Sequence, residues 1–190
     1  DIALFDPVIG VKTALSDHRG SNPSLEDLIR LGSDARLGGL LSGKAGIVVA
    51  HMGSGSEGMN LIFKALEHSE IPVKTFIPTH CGRNELLAEQ TVAYGRMGGT
   101  ADFTASLDSA DGGAARLLAR LVAAGADPRH MTLSSDSGGS LPRFDETGSC
   151  TGVGVGTPES LLAELKRLVQ GEGLPLQTAL LFLTENPARV

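Results

Sequence analysis

Short apolar, β-branched runs alternate along the chain with longer stretches in which apolar positions recur every three to four residues. The runs at 10–15 (GVKTAL), 46–50 (GIVVA), 74–78 (KTFIP), 101–105 (ADFTA) and 130–134 (HMTLS) read as strands. Each is brief and largely apolar, the pattern expected of strands buried on both faces. Helical periodicity covers 24–31, 57–68, 84–97, 113–124, 158–170 and 176–184. Ser24 ahead of Leu25, Glu26 and Asp27 supplies a capping residue and acids for a positive helix N-terminus, and Thr157-Pro158-Glu159 is a start signal with proline at the first helical position. Gly98 and Gly99 close the third helix. Strand and helix in strict alternation predict βα units around a parallel sheet, in one domain with no linker.

Composition narrows the picture. The chain has 190 residues, 41% of them hydrophobic and 20% charged, which is enough to build a core and excludes disorder. A formal net charge of −6 with no run of Lys or Arg argues against nucleic acid or an anionic membrane as partner. No apolar stretch approaches the roughly 20 residues that span a bilayer. The first residues, DIALFDP, have neither the basic nor the apolar region of a signal peptide, so a cytoplasmic location is expected. Cys81 and Cys150 are read as two free thiols. There is no initiator Met and the chain opens on the approach to a strand, so it is expected to be a piece of a longer protein.

Three metal-capable residues sit at matching places. His51 follows IVVA, His80 follows FIPT and Asp136 follows TLSS. In a parallel βα fold the C-terminal strand ends converge on one face, so ligands from several strands can meet around one cation. Lys12 lies inside the first strand, where an ammonium would be costly to bury without a partner such as Asp136 or Asp17. A neutral amine there could instead capture carbon dioxide, losing a proton from a group of pKa about 10.4 to become a carbamate that metal ions stabilise. Taken singly, each residue has a plainer reading: a hydrogen-bonded histidine, a paired lysine, an aspartate capping its own Ser-Asp-Ser-Gly-Gly turn. The GSGSEG stretch after His51 lacks the lysine and the spacing of a phosphate cradle and reads as a flexible active-site loop. His18, His68 and His130 read as structural or solvated.

The stretches GVKTALSDHR, VVAHMGSG, IPTHCGRN and TLSSDSGGS resemble those of isoaspartyl dipeptidases in the amidohydrolase superfamily, and the resemblance runs through almost the whole chain. It implies an α/β fold that is part of a TIM-like (β/α)8 metal-dependent hydrolase barrel, roughly its fourth to eighth strands. It implies two zinc ions bridged by carbamylated Lys12, with His51 and His80 on one ion and Asp136 on the other. Asp136 would also be catalytic, moving the proton of the attacking water to the leaving amine. Arg19 and Arg83 match residues that hold the free carboxylate of a dipeptide, and Ser140 matches a further substrate contact. The superfamily's HxH pair occurs nowhere in this chain, and the sequence stops at NPARV, ahead of the small β-domain of that family. The implied activity is zinc-dependent hydrolysis of β-aspartyl dipeptides in a homo-oligomer. Two alternatives stand beside it: another amidohydrolase reaction on a cyclic amide, N-acyl amino acid or nucleobase, and an inactive barrel fragment. Arg19 and Arg83 separate the first from the dipeptidase, because neutral substrates need no such cations.

Overall fold

A computed structural model of the chain describes residues 1–18, 20, 22–106, 112–147 and 149–190. Five parallel strands carry the fold: β1 (Gly10–Leu15), β2 (Ile47–Met52), β3 (Phe76–Thr79), β4 (Ala101–Thr104) and β5 (Met131–Ser134). The first three form one sheet in the order β1-β2-β3, and β4 pairs with β5 in a second. Helices α1 (Leu25–Ser42), α2 (Asn60–Glu67), α3 (Glu85–Arg96) and α4 (Gly113–Ala123) provide the crossovers. Beyond β5 come an antiparallel hairpin, β6 (Ser140–Phe144) and β7 (Cys150–Val155), and then α5 (Glu159–Lys166), α6 (Leu176–Leu181) and α7 (Glu185–Arg189).

The strands are two-faced. Val48, Ala50 and Met52 of β2, Phe76 of β3, Ala101 and Phe103 of β4, and Met131 and Leu133 of β5 point one way, are almost fully buried, and pack in one cluster with Leu28, Ile62, Leu87 and Leu118 of the helices. Strand alternation and register put Lys12, Val49, His51, Ile77 and Thr79 on the opposite face, as they do Asp102, Thr104, Thr132 and Ser134. The expectation of strands buried on both faces holds for β3, β4 and β5, where Ile77, Thr79, Asp102 and Thr132 are buried as well, whereas β1 and β2 are only partly covered on this second face, which carries a row of polar side chains.

Helix α1 is longer than its periodicity suggests, and three of its glycines are contact points. A Cβ on Gly32 would lie 2.8 Å from the Phe76 ring, one on Gly38 3.1 Å from Ile2, and one on Gly39 2.6 Å from Gly46. The helix opens on the expected cap: Ser24 Oγ accepts from the Asp27 amide at 3.2 Å, and the Asp27 carboxylate accepts in return from the Ser24 amide at 3.3 Å. Gly98, with φ +88°, terminates the turn after α3 as anticipated. The β6–β7 hairpin was not anticipated; its glycine-rich second strand, CTGVGV, leaves little apolar alternation to read.

Candidate active site

The C-terminal ends of the parallel strands share an unusual backbone feature. Among the described residues, the non-glycine positions with positive φ are Ser16 (52°), His80 (66°) and Asp136 (48°), each at or just past the end of β1, β3 or β5. Left-handed backbone is costly for such residues and persists where surrounding contacts over-determine it. At all three places the chain turns sharply off the sheet and presents side chains at one rim.

His51 and His80 meet there edge to face, with ring centroids 4.4 Å apart. His80 is 6% exposed; its Nδ1 lies 2.6 Å from Thr104 Oγ1, while its buried Nε2 has no hydrogen-bond partner. Burial pushes the His80 imidazolium down to about 4, helped by the cations Arg83 and Lys12 and by His51, and opposed by Asp136. At neutral pH the ring is uncharged, and the tautomer in which Nδ1 donates to Thr104 Oγ1 would leave the lone pair on Nε2. A buried imidazole nitrogen without a hydrogen-bond partner is chemically able to serve as a ligand atom.

Asp17 is the neighbour that holds His51. Its Oδ2 lies 3.1 Å from His51 Nε2 and 3.7 Å from Arg83 Nη1, and Arg83 Nη1 is 3.2 Å from the same imidazole nitrogen. The glycine-rich loop after β2 brings Asp17 into place. The amides of Gly53 and Gly55 donate to the carbonyls of Leu15 and Ser16 at 2.9 Å, and the Gly58 amide donates to Ser16 Oγ at 3.1 Å. That loop is thus pinned to the end of β1, in contrast to the flexible loop expected of GSGSEG.

Of the residues singled out in the sequence, His51, His80 and Arg83 come together directly. Lys12 and Asp136 act on His80 through their charges. Lys12 is exposed in this chain and projects from the polar face of β1, which pairs with β2. Asp136 is half-buried, its turn closed by Gly139, whose amide donates to the Asp136 carbonyl at 2.9 Å and whose Cβ would overlap the carboxylate. Ser140 opens β6 and is exposed. Arg19, and the side chain of Cys150, lie outside the described residues; Cys81 is a buried thiol. Sequence reasoning passed over Thr79, Asp102, Thr104, Thr132 and Ser134, although the alternation Asp-Phe-Thr and Thr-Leu-Ser was there to be read. As for a metal, two imidazoles with one orphaned nitrogen fit one cation, whereas no group of three His, Cys, Asp or Glu able to hold a metal forms among the described residues.

No protein-family model matches the chain. Solved structures do. The β-aspartyl dipeptidase from the thermophilic, keratin-degrading Fervidobacterium islandicum AW-1, crystallised in complex with β-Asp-Leu dipeptide, matches with a TM-score of 0.90 and 40% identity, covering 100% of this chain and 50% of its own. In sequence and in fold, this chain is a relative of the β-aspartyl dipeptidases. A second structure of the enzyme from that organism gives a TM-score of 0.86 and 37% identity over 100% of this chain and 48% of that one. The chain thus spans about half the length of the dipeptidases it matches. The likeness extends over the whole of this chain, the strand-end rim included. None of the helices formed by described residues is long and apolar enough to cross a membrane.

Proposed function

We propose that this chain forms the metal-ligand half of a zinc-dependent β-aspartyl dipeptidase, an arc of a (β/α)8 barrel whose polar concave face is the active-site side. The observation that carries this reading is the pairing of His51 with His80, whose unpartnered Nε2 is buried beside it, in a chain related throughout to β-aspartyl dipeptidases. His51 and His80 would hold one zinc ion, with carbamylated Lys12 bridging to a second that Asp136 binds. When bound, the ions acidify water and polarise the scissile amide carbonyl. Asp136 accepts the proton of the attacking water and delivers it to the leaving amine, so that water adds across the β-aspartyl amide to release aspartate and an amino acid. Arg83 and Arg19 hold the dipeptide carboxylate, a task suited to planar guanidinium groups. His80, uncharged at neutral pH, binds without first losing a proton.

A second reading is that the 190-residue chain is inactive by itself, because its sequence contains no HxH pair to complete a second metal site. The test is metal content and β-Asp-Leu hydrolysis, measured on this chain beside a version extended at both ends, each also as Lys12→Ala with added bicarbonate. Hydrolysis by the extended protein that Lys12→Ala abolishes supports the dipeptidase. If the extended protein binds zinc but leaves β-aspartyl dipeptides intact, the substrate assignment fails.

A further inference from the structure

Between β3 and β4 the ladder of backbone hydrogen bonds is interrupted, and one residue stitches the gap. Asp102 of β4 is 7% exposed. Its Oδ2 accepts from Thr79 Oγ1 at 2.6 Å and from Ser134 Oγ at 2.7 Å, its Oδ1 accepts from Thr132 Oγ1 at 2.8 Å, and its backbone carbonyl accepts from the Cys81 amide at 3.0 Å. Thr79 and Cys81 are the residues on either side of His80.

We propose that Asp102 is the positioning residue for His80, holding both of its chain neighbours so that the left-handed backbone at His80 aims Nε2 into the strand-end rim. Three contacts converge on that orientation. The Thr79 hydroxyl fixes the residue before His80, the Cys81 amide fixes the one after, and Thr104, two residues beyond Asp102 on the same face of β4, takes the His80 Nδ1 at 2.6 Å. A left-handed φ of 66° at His80 is not self-sustaining in a non-glycine residue and needs this kind of over-determination. The chemistry of Asp102 suits a fixed role: burial pushes its carboxyl up, and three donated hydroxyl hydrogens oppose that by satisfying the carboxylate. Ser134 carries the same clamp to β5, two residues ahead of Asp136, so β3, β4 and β5 are drawn to one point just inside the rim. Asp102 touches neither substrate nor metal in this role; it acts through His80, and the consequence for metal binding rests on the assignment of His80 as a ligand.

The decisive comparison is Thr79→Val against Thr79→Ser, with Asp102→Asn as the fuller disruption. Valine keeps the volume and loses the hydroxyl, whereas serine keeps the hydroxyl and loses a methyl group. Co(II) titration of the chain, followed by the ligand-field absorption of the ion, should show Thr79→Val binding about tenfold more weakly with an altered spectrum, and Thr79→Ser close to wild type. In the metal-free chain, imidazole 15N NMR should show His80 as a single Nδ1–H tautomer in wild type and Thr79→Ser, and as a mixture in Thr79→Val. If Thr79→Val keeps the wild-type spectrum and tautomer while Thr79→Ser is the impaired one, the contact is packing alone and the proposal falls. Should Asp102→Asn fail to fold, the Thr79 pair still decides. If wild type binds no Co(II), the metal assignment fails by itself and the tautomer comparison continues to judge the role of Asp102.

Discussion

Asp17 Oδ2 lies 3.1 Å from His51 Nε2, and Asp17 is only 3% exposed. Arg83 Nη1 is 3.2 Å from the same nitrogen, and a guanidinium can only donate, so Nε2 cannot serve both neighbours with one proton. The charge-assisted bond to a buried carboxylate is the stronger of the two, which puts the proton on Nε2 and leaves Arg83 Nη1 in ion-pair range of the same carboxylate at 3.7 Å. The lone pair of His51 then lies on Nδ1, the arrangement in which a carboxylate orients a metal-binding histidine. Asp17→Asn is expected to weaken zinc binding by about 10- to 100-fold, read by competition with a chromogenic chelator. An unchanged affinity would remove Asp17 from any orienting role.

On the proposed reading, Arg83 would link the imidazole pair to substrate choice. It stands at the rim beside His51, where a dipeptide carboxylate would approach, and in the active enzyme Arg83→Ala should raise KM for β-Asp-Leu by about 10- to 100-fold, the worth of a lost charge-assisted hydrogen bond. The same substitution should matter little for β-Asp-Leu amide, which has no C-terminal carboxylate. Equal losses on both substrates would mean that Arg83 serves Asp17 and His51 rather than the dipeptide.

What the sequence made legible was the framework: five of the strands, the parallel alternation, the cap at Ser24 and the strand-end placement of His51, His80 and Asp136 follow from local pattern and turn chemistry. Contacts between distant segments were not legible. Gly32, Gly38 and Gly39 look like helix breakers in isolation, yet α1 runs through them, and the close approach of Phe76, Ile2 and Gly46 leaves little room for a side chain there. Asp17 could be read as a partner for Lys12 as easily as for His51, because only the fold decides which strand end lies opposite. Asp102 carried a readable signal, polar alternation within apolar strands, but its three hydroxyl donors come from two other strands, 23 to 32 residues away.

The burial of His80 makes stability depend on pH in the metal-free chain. Its ordinary value of 6.5 applies to the unfolded chain, and in the fold it is pushed down to about 4, first by burial and then by Arg83 and His51. Below 6.5 the unfolded state takes up a proton that the folded state refuses until about pH 4. The contribution of His80 is therefore intact above 6.5, declines as pH falls toward 4, and is worth roughly 3 kcal/mol across that window. Asp102, whose carboxyl is raised, works in the opposite sense: its contribution is present below the unfolded carboxylate value and is lost as pH rises through its folded value. Urea unfolding of wild type and His80→Gln from pH 7.5 to about 4.5 separates the two, since only the His80 slope should vanish in the variant. Parallel curves for the two proteins would mean that His80 is protonated as readily in the fold as outside it.

Gly53 tests whether the loop after β2 sets the site. A Cβ there would lie 2.3 Å from the Ser16 carbonyl oxygen and 2.4 Å from the Asp17 Cα, backbone that cannot yield as a side chain can. Ser16 already occupies left-handed φ, so the strand end has little room to relax. Gly53→Ala should therefore cost about 1–3 kcal/mol in urea unfolding and weaken zinc binding as well, because the displaced residue is the one that holds His51. Gly152→Ala is the matched control: its Cβ would meet nothing within 4 Å, so stability and zinc affinity should both stay near wild type. A Gly53→Ala protein that is destabilised yet binds zinc normally would separate the loop's packing from the geometry of the imidazole pair, and Asp17 would have to reach His51 by another route.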